Sequence, residues 1–209
     1  MMNLNLCVLW SYILIGASFA SNVQSQKMDE SSAYYQVFMA VHQDDIDQLK
    51  AASKLEDFAE ALNSQPDRSG QTPLMRAVLQ GKSPELVRTL MELGADPSIG
   101  EKDGYTPMHG VGFQGRYNLI PVLVEEFNLD PNDVHEDGFT PLHRACWGSQ
   151  GRHTLTVEAL IGVGADPDKL MCRPSSGCLH PIDATQNEQT KKILLKYTKE
   201  YLNGSGAEF

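Results

Sequence analysis

The side chains able to do chemistry are six histidines and four cysteines, and they are unevenly placed. His109 and His143 each close a run that begins with Thr-Pro, Thr106-Pro107-Met108-His109 and Thr140-Pro141-Leu142-His143. A general base needs a nucleophile or water within reach and a third group to fix its ring. No nucleophile-base motif, phosphate loop or metal-ligand run stands beside either histidine. His42, His135 and His153 fall on expected exposed turns or helix ends, with no fixed partner in sequence. Cys172, Cys178 and His180 crowd one short stretch. Their spacing is not a two-plus-two zinc pattern, so no metal site is assigned. A Cys172 to Cys178 disulfide would pin the loop Arg173-Pro174-Ser175-Ser176-Gly177, provided the compartment is oxidising; the other reading is two free thiols.

The elements that must position these residues repeat. Gly70-Gln71-Thr72-Pro73-Leu74, Gly104-Tyr105-Thr106-Pro107-Met108 and Gly138-Phe139-Thr140-Pro141-Leu142 share one pattern, and 106 − 72 and 140 − 106 both equal 34. Equal spacing of this size marks a stacked-repeat architecture. Each copy continues with residues at helical spacing, such as Leu74, Ala77 and Val78 or Leu142, Ala145 and Cys146. A second apolar helix follows, with Leu86, Val87, Leu90 and Met91, then Leu119, Val122 and Leu123, then Val157, Leu160 and Ile161. It stops at Gly94-Ala95-Asp96-Pro97, Asn128-Leu129-Asp130-Pro131 and Gly164-Ala165-Asp166-Pro167. Gly or Asn takes the left-handed position after a helix, and the nearby Pro cannot extend it. At the front end Thr caps while Pro occupies the first turn, where no N–H is needed.

These residues resemble the ankyrin repeat, with its Gly-x-Thr-Pro-Leu-His-x-Ala and Gly-Ala-Asp signatures. The resemblance implies an all-α solenoid of helix-turn-helix units with β-hairpin-like finger loops. Repeats are expected at 70–103, 104–137 and 138–171. Degenerate capping repeats are expected at 35–69, from Val37 to Val41 and Asp45 to Lys50, and at 172–200, from His180 to Thr185 and Thr190 to Tyr197. The acidic residues Asp44, Asp45, Asp47, Glu56, Asp57 and Glu60 suit a solvated cap. Residues near 171–177 are expected to form an enlarged loop, and 201–209 a flexible tail. The resemblance also makes His109 and His143 loop-ordering residues and Cys146 a small core residue.

Residues 1–20 carry no charged side chain and run apolar from Leu4 to Phe19, with Ser18 and Ala20 where a signal peptidase reads. A cleaved signal is the leading expectation, followed by a polar linker at 21–34. A signal anchor is disfavoured by the shortness of the apolar stretch. The expected location is the secretory pathway, secreted or lumenal. A plastid of secondary origin is an alternative, because Ala17-Ser18-Phe19-Ala20 is similar to bipartite leader junctions, and the cytoplasm is another if the segment is no signal. Asn203-Gly204-Ser205 is a glycosylation sequon that matters only in the secretory route. The net charge of −10 argues against nucleic acid or an anionic membrane as partner, since both require a basic face.

The expected function is a non-enzymatic protein-protein interaction module, monomeric and without cofactor, acting as adaptor, scaffold or inhibitor. The alternative is a small secretory-pathway or plastid-lumen enzyme, or a metal-binding protein, using the His and Cys residues of the C-terminal half. The resemblance places partners against the finger tips, the residue before Thr-Pro and the end of the first helix. Those columns hold Gln71, Tyr105 and Phe139, then Leu79, Phe113 and Trp147. They are expected to form an exposed aromatic stripe, bordered by Arg76 and Arg144 and by Lys102, Asp103, His135, Glu136 and Asp137 on the fingers. The competing expectation packs Phe113 and Trp147 against the following repeat or beneath the C-terminal loop.

Overall fold

In the computed structural model, which describes residues 30–173 and 177–198, every Thr-Pro opens a helix. Helix α1 spans Ala33–Gln43, α2 Ile46–Ala52, α3 Phe58–Leu62, α4 Pro73–Gln80, α5 Pro84–Glu92 and α6 Pro107–Gln114. Helices α7, Pro141–Cys146, α8, Gly151–Gly162, and α9, Glu188–Tyr197, follow. The Thr72 hydroxyl accepts the Met75 N–H at 3.2 Å, and Thr140 accepts that of His143 at 3.4 Å. Such caps satisfy donors that a helix start leaves orphaned, and each contributes about 1 kcal/mol. Thr106 is the exception, because its hydroxyl is engaged by the His109 ring and the Asp133 carboxylate instead.

The second helix of the middle repeat is not a regular α-helix. Residues Tyr117–Leu119 form a 3₁₀ turn and Pro121–Glu126 a π-helical segment. Pro121 has no N–H to give the preceding turn, and the Phe127 N–H reaches back five residues to Val122 O at 3.2 Å. Leu119, Val122 and Leu123 are nevertheless buried, so the apolar pattern survives the loss of helical regularity. The segment ends at Asn128, whose φ of 56° is the left-handed conformation taken at the matching positions by Gly94 and Gly164.

First helices α1, α4, α6 and α7 pack in sequence as one layer, while α2, α5, the Pro121–Glu126 segment and α8 form the other. Leu74, Val78, Leu86, Leu90, Leu142 and Leu160 fill the space between them and are at most 1% exposed. Helix α6 approaches α7 closely at Gly112, where a Cβ would lie 2.1 Å from the Pro141 carbonyl oxygen. A side chain from each unit also reaches the preceding first helix or the turn after it. Lys82 donates to His42 O at 2.6 Å, Arg116 to Leu79 O at 2.8 Å, His153 to Phe113 O at 3.2 Å and Asn187 to Ser149 O at 3.3 Å. Cations at the first two positions also complement the negative ends of helices α1 and α4.

The C-terminal side departs from the loop expected there. Residues Met171–Arg173 (β1) and Gly177–Leu179 (β2) pair antiparallel, with Cys172 opposite Cys178. The hairpin serves as a fourth finger: Leu179 O accepts from His143 Nε2 at 3.3 Å. A 3₁₀ turn at Pro181–Ala184 and α9 then cover the end of the array. Residues 1–20, most of the 21–34 linker, Asn203 and the 201–209 tail lie outside the described residues.

Candidate protein-binding face

The second finger is built around Tyr105. Its ring stacks on His135 with centroids 3.8 Å apart, and its hydroxyl donates to Asp137 Oδ2 at 2.5 Å. The Arg144 guanidinium lies 3.9 Å from the Tyr105 ring centroid, 4.6 Å from Trp147 and 5.1 Å from Phe139, and 3.4 Å from the Asp137 carboxylate. One cation thus bridges two fingers and a helix end through cation–π contacts and an ion pair.

His135 sits inside this arrangement. Its Nε2 donates to Asp103 O at 2.7 Å and its Nδ1 lies 2.8 Å from Asp137 Oδ1. The Asp103 carbonyl accepts from Nε2, and at Nδ1 the Asp137 carboxylate favours a proton and so a positive charge, while the Asp137 N–H at 3.3 Å is placed to donate to the unprotonated nitrogen. Burial opposes that charge, but Asp137 and the Asp103 carbonyl outweigh it and hold the pKa above the ordinary histidine value. His109 and His143 go the other way, because burial pushes both below the ordinary value. Each spans two repeats: His109 Nε2 donates to Phe139 O at 3.1 Å, and Nδ1 of each meets the hydroxyl of its own Thr at 2.9 Å. Asp133 raises the His109 value against the effect of burial without reversing it.

Three residues expected at the surface are not on it. Phe139 is only 3% exposed, wedged edge-on against Trp147 at 4.5 Å and His143 at 5.8 Å while its carbonyl holds His109. His135 is 9% exposed, because the Tyr105 stack and the Asp103 carbonyl draw it inward. His153, expected at an exposed helix end, is likewise buried by its bond to Phe113 O. Phe113 at 54% and Trp147 at 44% are open to solvent, while Tyr105, Leu79 and Arg76 are half-buried. Arg76 pairs with Asp67 at 2.5 Å and lies 5.2 Å over the Phe38 ring.

Between the second finger and the first helices lies a groove of about 260 Å³, lined mainly by Met75, Leu79, Tyr105, Gly110 and Phe113, with Glu101 and Arg144 at its edge. Gly110 was not among the residues expected to shape this face; its signal is an unfilled position between Arg76 and Arg144 in the same column. On the other side of Tyr105 a shallower cleft of about 630 Å³ runs between two fingers, lined by Lys102, Asp103, His135, Glu136 and Asp137.

The sulfurs of Cys172 and Cys178 stand 2.03 Å apart across the exposed hairpin. Cys146 is buried in the core, and burial pushes its thiol up to about 12, which leaves it protonated and unreactive. Among the described residues no group of three or more His, Cys, Asp or Glu side chains is placed to hold a metal ion. No helix among them is long and apolar enough to cross a membrane.

Paired helices stacked in two layers, with finger loops along one edge, define a repeat scaffold in which each unit is stabilised by its neighbours. Residues 74–171 match the family model for ankyrin repeats in three copies. The chain is an ankyrin repeat protein. Comparison with curated proteins gave no match.

Proposed function

We propose that the protein is a non-enzymatic interaction module that engages a protein partner on the face shared by the fingers and first helices. The observation that carries this reading is the coincidence of the apolar groove with two exposed aromatics, Phe113 and Trp147. Large rings left in water beside a concave apolar surface are the side chains that contribute most when a partner covers them. Arg144 holds Trp147 and Tyr105 in fixed positions, so little side-chain entropy remains to be lost on binding. Single replacements Phe113→Ala and Trp147→Ala test it, with capture of the partner by the chain from residue 21 onward as the readout. Capture is expected to fall at least tenfold in both, with the melting temperature little changed by Phe113→Ala and lowered by a few degrees by Trp147→Ala, whose ring covers Phe139. Unchanged capture, or capture lost only together with the fold, contradicts the proposal.

The proposed compartment is the secretory pathway. It is supported by the uncharged apolar stretch at residues 4–19 and by the pairing of Cys172 opposite Cys178 in the hairpin register, since a bridge there persists in oxidising surroundings. Alkylation of the purified protein without reductant should label neither cysteine. Two reactive thiols found under those conditions would sink the bridge and with it this support for the location.

A further inference from the structure

We infer that the partner enters this face as a basic segment carrying one large apolar side chain, which seats in a socket floored by Gly110. The inference rests on reading the face as the protein-binding one. The column after the His position holds Arg76, Gly110 and Arg144 in successive repeats, so the middle repeat omits the side chain its neighbours project. The three atoms nearest a Cβ at Gly110 would be Val78 Cγ1 at 3.3 Å and Leu79 Cδ2 and Met75 Sδ at 3.4 Å, all on apolar side chains. The omission lets α6 lie close against α4 and leaves Met75, Leu79 and the bare Gly110 backbone as the apolar wall of the groove. An apolar cavity of about 150 Å³ already admits a benzene ring. The 260 Å³ here accommodates a Phe, Leu or Met side chain. It falls short of the roughly 300–1,000 Å³ usual for sites that enclose a drug-sized ligand.

Charge selects the flanks. The two arginines of the face are each held by a carboxylate from the loop just before their helix, Arg76 by Asp67 at 2.5 Å and Arg144 by Asp137 at 3.4 Å. His135 Nδ1 lies 2.8 Å from the same Asp137 carboxylate, which it shares with Arg144. Glu101 lines the socket, and Asp103, Glu136 and Lys102 line the finger cleft, so the carboxylates Asp67, Asp137, Glu101, Asp103 and Glu136 outnumber the cations Arg76, Arg144 and Lys102, and still outnumber them with His135 charged. Tyr105 borders both hollows, so a chain whose apolar residue enters the socket passes its neighbours over carboxylates. Lysine or arginine beside the anchor complements that rim, whereas an acidic flank meets like charge.

The probe is a dye-labelled synthetic peptide, Ser-Gly-Lys-Lys-Phe-Lys-Lys-Gly-Ser. Three relatives carry Glu for every Lys, Ser for Phe, or both changes. Fluorescence anisotropy against the chain from residue 21 is expected to rank the Lys and Phe peptide first, with either single class of change weakening it at least tenfold. Gly110→Leu fills the socket and is expected to weaken the Phe peptide at least tenfold while leaving the Ser peptide unaltered. Gly110→Ala, a smaller filling, gives the same direction should the Leu variant fail to fold. Asp103→Asn combined with Glu136→Gln is expected to weaken the Lys peptides and relieve the Glu ones. Equal binding of the Glu and Lys peptides, or indifference to Gly110→Leu, overturns the inference. So does a concentration-dependent dimer that Gly110→Leu abolishes, which would give the socket to a second copy. Partner capture that responds to Phe113→Ala but not to Gly110→Leu overturns this inference alone; indifference to both overturns the broader reading.

Discussion

Replacing Gly112 by Ala tests how the repeats are held together. A methyl group is added to the middle of α6, where it would stand 2.1 Å from the Pro141 carbonyl oxygen, 2.9 Å from its carbon and 3.2 Å from the Ala145 nitrogen. All three are backbone atoms of α7, so no rotamer change relieves the clash and the two helices must move apart. Overpacking of this kind costs about 1–3 kcal/mol, and a contact against rigid backbone belongs at the upper end. Ala gains about 1 kcal/mol over Gly in a helix interior, which leaves a net loss of about 2 kcal/mol. For a chain of this size that corresponds to a fall in melting temperature of about 4–8 °C. Gly162→Ala, at the last position of α8, is the control, since nothing lies within 4 Å of a Cβ there and a partial propensity gain should leave stability equal or slightly raised. Thermal and urea melts followed by circular dichroism read both. A Gly112→Ala variant as stable as the parent would refute the claim that backbone contact at this glycine sets the spacing of α6 and α7.

Three further outcomes are expected. His109 and His143 have lowered folded pKa values, so their contribution is present above about pH 6.5 and is lost as pH falls toward those values. His135, raised, contributes fully below about pH 6.5 and loses that contribution as pH rises through its folded value; His135→Gln should therefore destabilise more at pH 5 than at pH 8 in urea melts. Reduction, or Cys172→Ser with Cys178→Ser, should destabilise the C-terminal end by about 2 kcal/mol from the short closed loop alone, with faster amide exchange in β1, β2 and α9 and little change around α4. Tyr105→Phe removes the hydroxyl bond to Asp137 and should cost about 1 kcal/mol in denaturant melts, while the ring stack on His135 keeps the finger folded.

The framework was legible because its signals are local and recur. Thr-Pro sets a cap and a first turn, and Gly-Ala-Asp or Asn-Leu-Asp sets a stop, without reference to distant residues. The binding face was legible only in part, because equivalent columns end in different environments. Tyr105 and Phe139 precede Thr-Pro alike, yet the Tyr105 hydroxyl is held by Asp137 while Phe139 slides beneath Trp147. His135 reads as a polar finger residue, and only the neighbouring finger's ring and the Asp103 carbonyl pull it inside. Gly110 and Gly112 act through side chains they lack, an effect defined by the neighbouring repeats. Their trace in the sequence is glycine in a helix interior, a choice that needs a packing reason. Pro121 announces the broken helix, but the burial of Leu119, Val122 and Leu123 follows the apolar pattern regardless.

On the proposed function, a protein partner covers the groove between the fingers and first helices. A photo-reactive benzoylphenylalanine placed at Phe113, on that face, and separately at Glu92, exposed at the end of α5 in the other layer, tests it directly. Irradiation with the captured partner should yield a crosslinked species from position 113 and none from position 92, with the attachment mapped by mass spectrometry to one partner segment. Crosslinking from position 92 but not from 113 would contradict the account.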